Sequence, residues 1–384
     1  MARLIEEAVN GKLRFFIQFG GQGARWFGEL NKLYADPSLK KFFDVVFHSL
    51  YDELKEVGGH PFFTKGFDPL RWIQEPSSLP EEEYLEIAPV SIVMIQITQL
   101  AHFERARING YSLPFLEKYS NAATGHSQGL ISATLASVMQ DGNAYYDLLD
   151  VYTRYAVYLG LRAQEAYPHP FASDDEKKRS GELGEHFPSP MAALLGSDHD
   201  TVRNWLADYN EGKPLKEMAH LSLVNSPDNR ILSGDRNALI GFHTKYKDEF
   251  RSRKMKYVYL LTSAPFHSPL LADVPDLMKK DLKKIDFTIK GSDLKIPCYS
   301  FSDGMDLRQE NDMGDRLSRE MAVYTLDWQK SMDPVIKDSS ITHILDFGPG
   351  KTSSRLTGQI LESAGRKCDL ISASLPRDYK ILME

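Results

Sequence analysis

"ATGHSQGLISATLA", residues 123–136, decides how this chain is read. Small residues, a glycine, a serine and a second glycine lead straight into an apolar helix former, the order of a strand, a tight turn and a helix. In such an elbow Gly125 and Gly129 let the backbone pass closely, and Ser127 sits at the tip. The residues alone leave two readings open. Ser127 is a nucleophile whose developing oxyanion would meet the Gln128 N–H at a helix N-terminus, or it is a small residue in a plain turn.

Upstream, "LRFFIQF" (13–19) has the aromatic and β-branched content of a buried strand, broken by "GGQGARW". Residues 27–56 read as helical, "GGHPFF" as a loop, and 81–110 as a long, largely apolar helix with Pro89 near its start. Downstream, "QGLISATLASVM" and 143–166 read as helices, and "SDDEKKRSGELGEHFPSP" (173–190) as a charged, proline-bounded loop. The pattern then changes to strand, helix, hairpin, helix and strand, ending in "KYVYLLTS", the order of a small ferredoxin-like unit. From "SAPFHSPLL" (263–271) the chain returns to the larger unit, through "KIPCYSF" and "ITHILDFGPGKTSS".

The length of 384 residues suits one large domain with a small one inserted. A 42% apolar and 26% charged composition describes a globular protein. The formal charge of -7, without a long basic block, argues against a nucleic-acid or membrane-surface platform and for small molecules or proteins as partners. Cys298 and Cys368 stand far apart without a His/Cys cluster, so neither a zinc site nor a disulfide framework is expected, and no metal is called for. "MARLIEEAVNGKLRFF" carries acid where a signal peptide needs its apolar core, and no apolar run approaches the ~18 residues of a membrane span. A cytoplasmic location is expected.

A serine hydroxyl needs a base. His267, in "TSAPFHSPLL", lies in a small-residue loop between strand and helix, and reads either as that base or as a hydrogen-bonded loop histidine. His126 adjoins the serine and is expected to point away from it. "FGGQGARW" (19–26) fails as a dinucleotide loop because Trp26 stands where the fingerprint wants glycine. "GPGKTSS" (348–354) fails as a Walker loop because Leu345 stands at the first glycine. Both read as close-packed glycine turns, the first placing Gln22 to offer a second oxyanion donor.

Taken in order, "FGGQG", "GHSQG", "VNSPDNRILSG", "SAPFHSPLL" and "ILDFGPGK" resemble the acyl-CoA:acyl-carrier-protein transacylases, from about residue 13 to about residue 375. Within them the wording is most similar to the acetyltransferase domain of the fungal-type fatty acid synthase β subunit and its bacterial type I relatives. The resemblance implies an α/β-hydrolase-like core with a parallel sheet, residues 1–188 and 262–384, interrupted by a ferredoxin-like subdomain at 189–261. It implies Ser127 as nucleophile, His267 as base, and the Gln22 and Gln128 amides as oxyanion hole, working by ping-pong transfer from acyl-CoA to the phosphopantetheine thiol of a carrier protein. No cofactor is implied, and other domains of a fatty acid or polyketide synthase are implied neighbours. On the substrate side it implies His126, Leu159, Arg162, Asn225 and Phe266.

Malonyl-specific members carry Arg-Gly-x-x-Met-Gln, whose arginine pairs with the malonyl carboxylate. The matching stretch here is "LGLRAQ", with Leu159 in the arginine's place and Gly160 and Gln164 keeping the frame. A carboxylate against leucine is unpaired, so a neutral acyl group, most simply acetyl, is the expected cargo. The helix starts about two turns later after Ser127 than in those enzymes, and an alternative alignment brings Arg154 to the acyl group. Gln128 and Leu130 replace the usual Leu and Glu after the serine. "REMAVYTLDW" suggests the Met321 carbonyl as the anchor of the histidine. Malonyl transfer, and hydrolysis of acyl thioesters in an editing role, are the alternatives.

Overall fold

The computed structural model describes residues 2–23 and 25–384. Its ten strands are β1 (Phe15–Phe19), β2 (Ser120–Gly125), β3 (Met191–Leu195), β4 (Ala219–Ser226), β5 (Asn229–Gly234), β6 (Lys256–Tyr259), β7 (Cys298–Tyr299), β8 (Leu326–Asp327), β9 (His343–Asp346) and β10 (Asp369–Ser372).

The fold is α/β, with a core sheet ordered β10-β9-β1-β2-β7 and every adjacent pair parallel. A parallel strand is covered on both faces and must be apolar throughout. β1, "FFIQF", is buried along its whole length and lies at the centre, with the polar side chain of Gln18 bonded to Asp346 of β9 at 2.9 Å. Helix Ala88–Ile108 is buried nearly all round, as expected of a helix apolar on every face, and packs on helix Asn143–Ala166. At Gly160 on that contact an added Cβ would crowd the Ala88 carbonyl.

A second sheet is ordered β6-β3-β5-β4-β8. Its first four strands pair antiparallel, and helices His199–Asn210 and Arg236–Ser252 link them as strand, helix, hairpin, helix, strand. That is the ferredoxin-like order, with its own apolar cluster around Leu194, Leu232, Phe242 and Tyr257. β8 comes from beyond residue 262, pairs parallel with β4, and so ties the later part of the chain to this sheet.

The loop expected over 173–190 contains a helix, Asp174–Gly181. The sequence "SDDE" forms a capping box in which Ser173 and Glu176 satisfy each other's backbone N–H, and charge alone does not prevent a capped helix from forming.

Candidate active site

Three parallel strands end together at the C-terminal edge of the core sheet, the usual place for a site in such sheets. There the Gly20 N–H donates to the Gly348 carbonyl at 2.9 Å, and the His126 N–H donates to the Phe19 carbonyl at 2.9 Å. These bonds fix the turns after β1, β2 and β9 against one another. Ser127 has φ of 51°, the left-handed conformation of a strained elbow, and helix Gly129–Val138 starts two residues later. A Cβ at Gly129 would overlap the Gly20 and Phe19 carbonyl oxygens, and one at Gly125 would overlap Gly129 itself. Both glycines of the motif are therefore demanded by backbone contact.

His267 faces Ser127, with Ser127 Oγ 2.7 Å from His267 Nε2. His267 Nδ1 lies 2.9 Å from the Tyr324 carbonyl oxygen, which can only accept. The proton therefore sits on Nδ1, Nε2 is the bare acceptor, and the serine hydroxyl donates to it. Burial pushes the His267 imidazole down to about 4, partly offset by the bond to Tyr324 and reinforced by the neighbouring His126. The ring is neutral at neutral pH, as a base must be. His126 points away from the serine: its Nε2 pairs with Asn225 Oδ1 at 2.8 Å, and its ring meets Trp328 edge-on. Among the described residues, neither the Gln22 nor the Gln128 amide N–H reaches a protein acceptor, although both side chains are held: Gln22 Nε2 donates to Ser91 Oγ at 2.7 Å, and Gln128 Nε2 to the Ile92 carbonyl. Two free donors beside a serine with a neutral histidine can polarise a carbonyl and support attack on it.

A cleft of about 360 Å³ between the two sheets brings together Ser127, His267, Gln22, His126, Asn225 and Phe266. Met191, Leu223, Ile231 and Leu260 make much of its wall apolar. Among the described residues lining it, Arg355 is the one formally charged side chain.

Two expected substrate residues are absent from this lining. Leu159 is fully buried in the core, because its helix is enclosed by helices Ala88–Ile108, Lys40–Val57 and Val274–Lys284. Arg162 is held by Asp281 through two bonds of 2.7 and 2.8 Å and by Glu165 at 2.7 Å, so its charge is already satisfied. The alternative Arg154 is likewise engaged, with Asp52 and Asp150 at 3.0 Å and with Glu53. The histidine anchor is the Tyr324 carbonyl in place of Met321, whose side chain is buried in the core. Backbone acceptors leave no trace in side-chain identity, so no sequence signal could have fixed this one. The sequence reading also missed Asn229 and Arg355, which line the cleft.

The family model described as "Starter unit:ACP transacylase in aflatoxin biosynthesis" matches residues 17–267. Fatty acid synthase subunit beta of Saccharomyces cerevisiae is 30% identical over 373 residues, 91% of this chain and 18% of that protein. The Schizosaccharomyces pombe protein of the same name is 31% identical over 352 residues, 87% of this chain and 17% of that protein. The chain thus spans less than a fifth of the length of these relatives. Among solved structures, the acyl-carrier-protein S-malonyltransferase from Burkholderia pseudomallei 1710b has a TM-score of 0.68 at 20% identity, covering 97% of this chain and all of that one. The holo complex PlMCAT:AntF, a type II polyketide synthase acyl-carrier protein with its malonyl-transacylase, has a TM-score of 0.63 at 17% identity, covering 96% and 99%. These likenesses are of fold.

Proposed function

As the chain belongs to the starter unit:ACP transacylase family, we propose that it moves a neutral short acyl group, most simply acetyl, from CoA to the phosphopantetheine thiol of an acyl carrier protein. The observation that carries this reading is the 2.7 Å contact between Ser127 Oγ and the bare Nε2 of His267, beside the Gln22 and Gln128 backbone N–H groups, which have no acceptor among the described residues.

In the first half-reaction Ser127 Oγ attacks the thioester carbonyl while His267 Nε2 takes the hydroxyl proton. The Gln22 and Gln128 N–H groups hold the tetrahedral oxyanion, each donor contributing about 3 kcal/mol to the transition state. The proton passes from Nε2 to the departing CoA thiolate, leaving the Ser127 ester. The carrier thiol then attacks that ester and gives its proton to Nε2, the acyl–Oγ bond breaks, and Nε2 returns the proton to the departing Ser127 Oγ, so both halves share one site and follow ping-pong kinetics. The Tyr324 carbonyl keeps the Nδ1 proton in place throughout and faces the imidazolium while it exists.

A neutral cargo is favoured by the lining of the cleft, much of which is apolar and which, among the described residues, offers one permanent cation, the solvent-exposed Arg355. A buried malonyl carboxylate would stand there unpaired. Leu159 is buried in the core and is not among the residues that line the cleft.

The test is intact-mass analysis after brief incubation with competing acetyl-, malonyl- and medium-chain acyl-CoA, followed by a chase with holo carrier protein. A neutral adduct that leaves with the carrier supports the reading, and a dominant malonyl adduct overturns the cargo assignment. An adduct lost to water at the same rate with or without carrier turns the enzyme into a hydrolase. Ser127→Ala is expected to abolish the adduct while leaving the circular dichroism spectrum unchanged.

A further inference from the structure

The two N–H groups assigned to the oxyanion come from different parts of the chain, Gln22 from the turn after β1 and Gln128 from the start of helix Gly129–Val138. Their spacing is therefore set by tertiary contacts, and one buried side chain spans it. Gln99, on helix Ala88–Ile108, is fully buried. Its Nε2 donates to the Gly20 carbonyl at 2.5 Å, two residues before Gln22, and its Oε1 accepts from Ser132 Oγ at 2.6 Å, one turn beyond Gln128. A carbonyl can only accept, which fixes the carboxamide with its nitrogen toward Gly20 and its oxygen toward Ser132. Gly20 and Gly21 carry no side chains by which packing could orient the peptide between them, so the hydrogen bonds on it decide how the chain enters Gln22. Among the described residues, Gln99 is the one hydrogen-bond donor to the Gly20 carbonyl. The same carbonyl oxygen lies against Gly129, where an added Cβ would come within 2.3 Å of it. Ser91 Oγ and the Ile92 carbonyl, on the same helix as Gln99, hold the Gln22 and Gln128 side chains.

We propose that Gln99 is a positioning residue for the reaction, tying the turn after β1 to the nucleophile helix so that the Gln22 and Gln128 N–H groups converge on one oxygen at Ser127. The inference rests on the transfer reading above and specifies how its two donors are kept in register. Gln99 is not among the residues that line the cleft, so it acts through the backbone it holds. An oxyanion gains from both donors only when each stands at about 3 Å from it, and two segments lose that precision when the bond between them is cut. The base is held separately, by the Tyr324 carbonyl, and its contact with Ser127 Oγ involves neither bond of Gln99. Loss of Gln99 therefore weakens stabilisation of the oxyanion and leaves proton abstraction as it was.

The test follows acylation of Ser127 by acetyl-CoA in rapid-quench experiments, reading the saturating rate, KM and the acid limb of the pH profile, with circular dichroism as the control for folding. Gln99→Leu is expected to lower the saturating rate about thirtyfold, less than the outright loss of one donor, with KM and the acid limb unchanged. Ser132→Ala cuts one of the two bonds and is expected to lower the rate about threefold, adding nothing when combined with Gln99→Leu because the pair acts as one unit. Gln99→Glu is the conservative variant: its acid form presents one O–H to Gly20 and one oxygen to Ser132. At about pH 5.5, where His267 is still neutral, its rate is expected within about threefold of wild type while that of Gln99→Leu stays low. A folded Gln99→Leu protein with the wild-type rate overturns the proposal. So does a loss expressed in KM or an acid limb moved toward 6.5, since either means that the site has loosened as a whole. Additive losses in the double variant, or no recovery by Gln99→Glu, overturn it as well. Should Gln99→Leu not fold, the folded Ser132→Ala protein decides, and a wild-type rate there is the refuting result. A wild-type protein that gains no acyl adduct overturns the transfer reading itself, whereas an acylating wild type matched by these variants keeps that reading and removes Gln99 from it.

Discussion

Lowering the pH is the perturbation that most directly probes the base. Desolvation of the buried imidazole pushes His267 from the ordinary 6.5 down to about 4. That interval corresponds to about 3 kcal/mol against the protonated ring in the folded protein. At pH 5.5 a histidine of ordinary acidity is neutral in about one molecule in ten, whereas one titrating near 4 is neutral in more than about nine in ten. The acylation rate of the free enzyme, followed by rapid quench and intact mass with acetyl-CoA, is therefore expected to stay near its plateau at pH 5.5 and to halve near 4. Circular dichroism at each pH separates loss of the base from loss of the fold. An acid limb centred near 6.5 would refute the reasoning, because it would mean that the ring is solvated or that another group is the base. The same shift bears on stability. Below 6.5 the unfolded chain takes up a proton at this histidine that the native state refuses until about 4. The stabilisation is thus fully present above 6.5 and is lost as the pH falls toward 4. Burial likewise lowers His126 and His243 to about 4, so all three weaken the protein over the same interval.

Other outcomes can be stated from the packing. Gly129→Ala drives a Cβ into the Gly20 and Phe19 carbonyls, which cannot swing aside; a loss of about 1–3 kcal/mol is expected in chemical denaturation, and the displaced Gln22 and Gln128 amides should cost acylation about a hundredfold. Arg162→Ala leaves buried Asp281 without its partner, so it is expected to destabilise by about 3–5 kcal/mol while the ratio of acetyl to malonyl loading stays constant. Leu159→Arg buries a cation in an apolar helix interface; a fall in stability of more than about 4 kcal/mol is expected in place of gained malonyl loading, and a folded, malonyl-selective variant would reverse the placement of that residue.

The elbow was legible because its requirements are local. A strand, two glycines without room for a Cβ and a helix start follow one another within a few residues, and each leaves its mark on residue type. The ferredoxin-like order was legible for the same reason, as alternation and helical spacing are short-range patterns. The helix Asp174–Gly181 is hard to read from sequence because its charge and flanking prolines mask the capping signal in "SDDE". Leu159 and Arg162 lie away from the cleft, and position along a helix does not say which neighbour each face meets. Here one face meets the apolar core and the other meets Asp281, more than a hundred residues away.

By itself, then, the sequence determined that Ser127 occupies a tight turn between strand and helix, that His267 lies in a loop able to supply a base, and that the chain is α/β with an inserted antiparallel unit. Only the tertiary structure decided that Ser127 Oγ and His267 Nε2 stand 2.7 Å apart, that the Tyr324 carbonyl sets the tautomer, and that Asn229 and Arg355 face the cleft while Arg162 does not. The division has a physical cause. Backbone conformation is set by neighbours along the chain. A hydrogen bond between residues 140 apart, or to a carbonyl that every residue type possesses, depends on how separate elements pack.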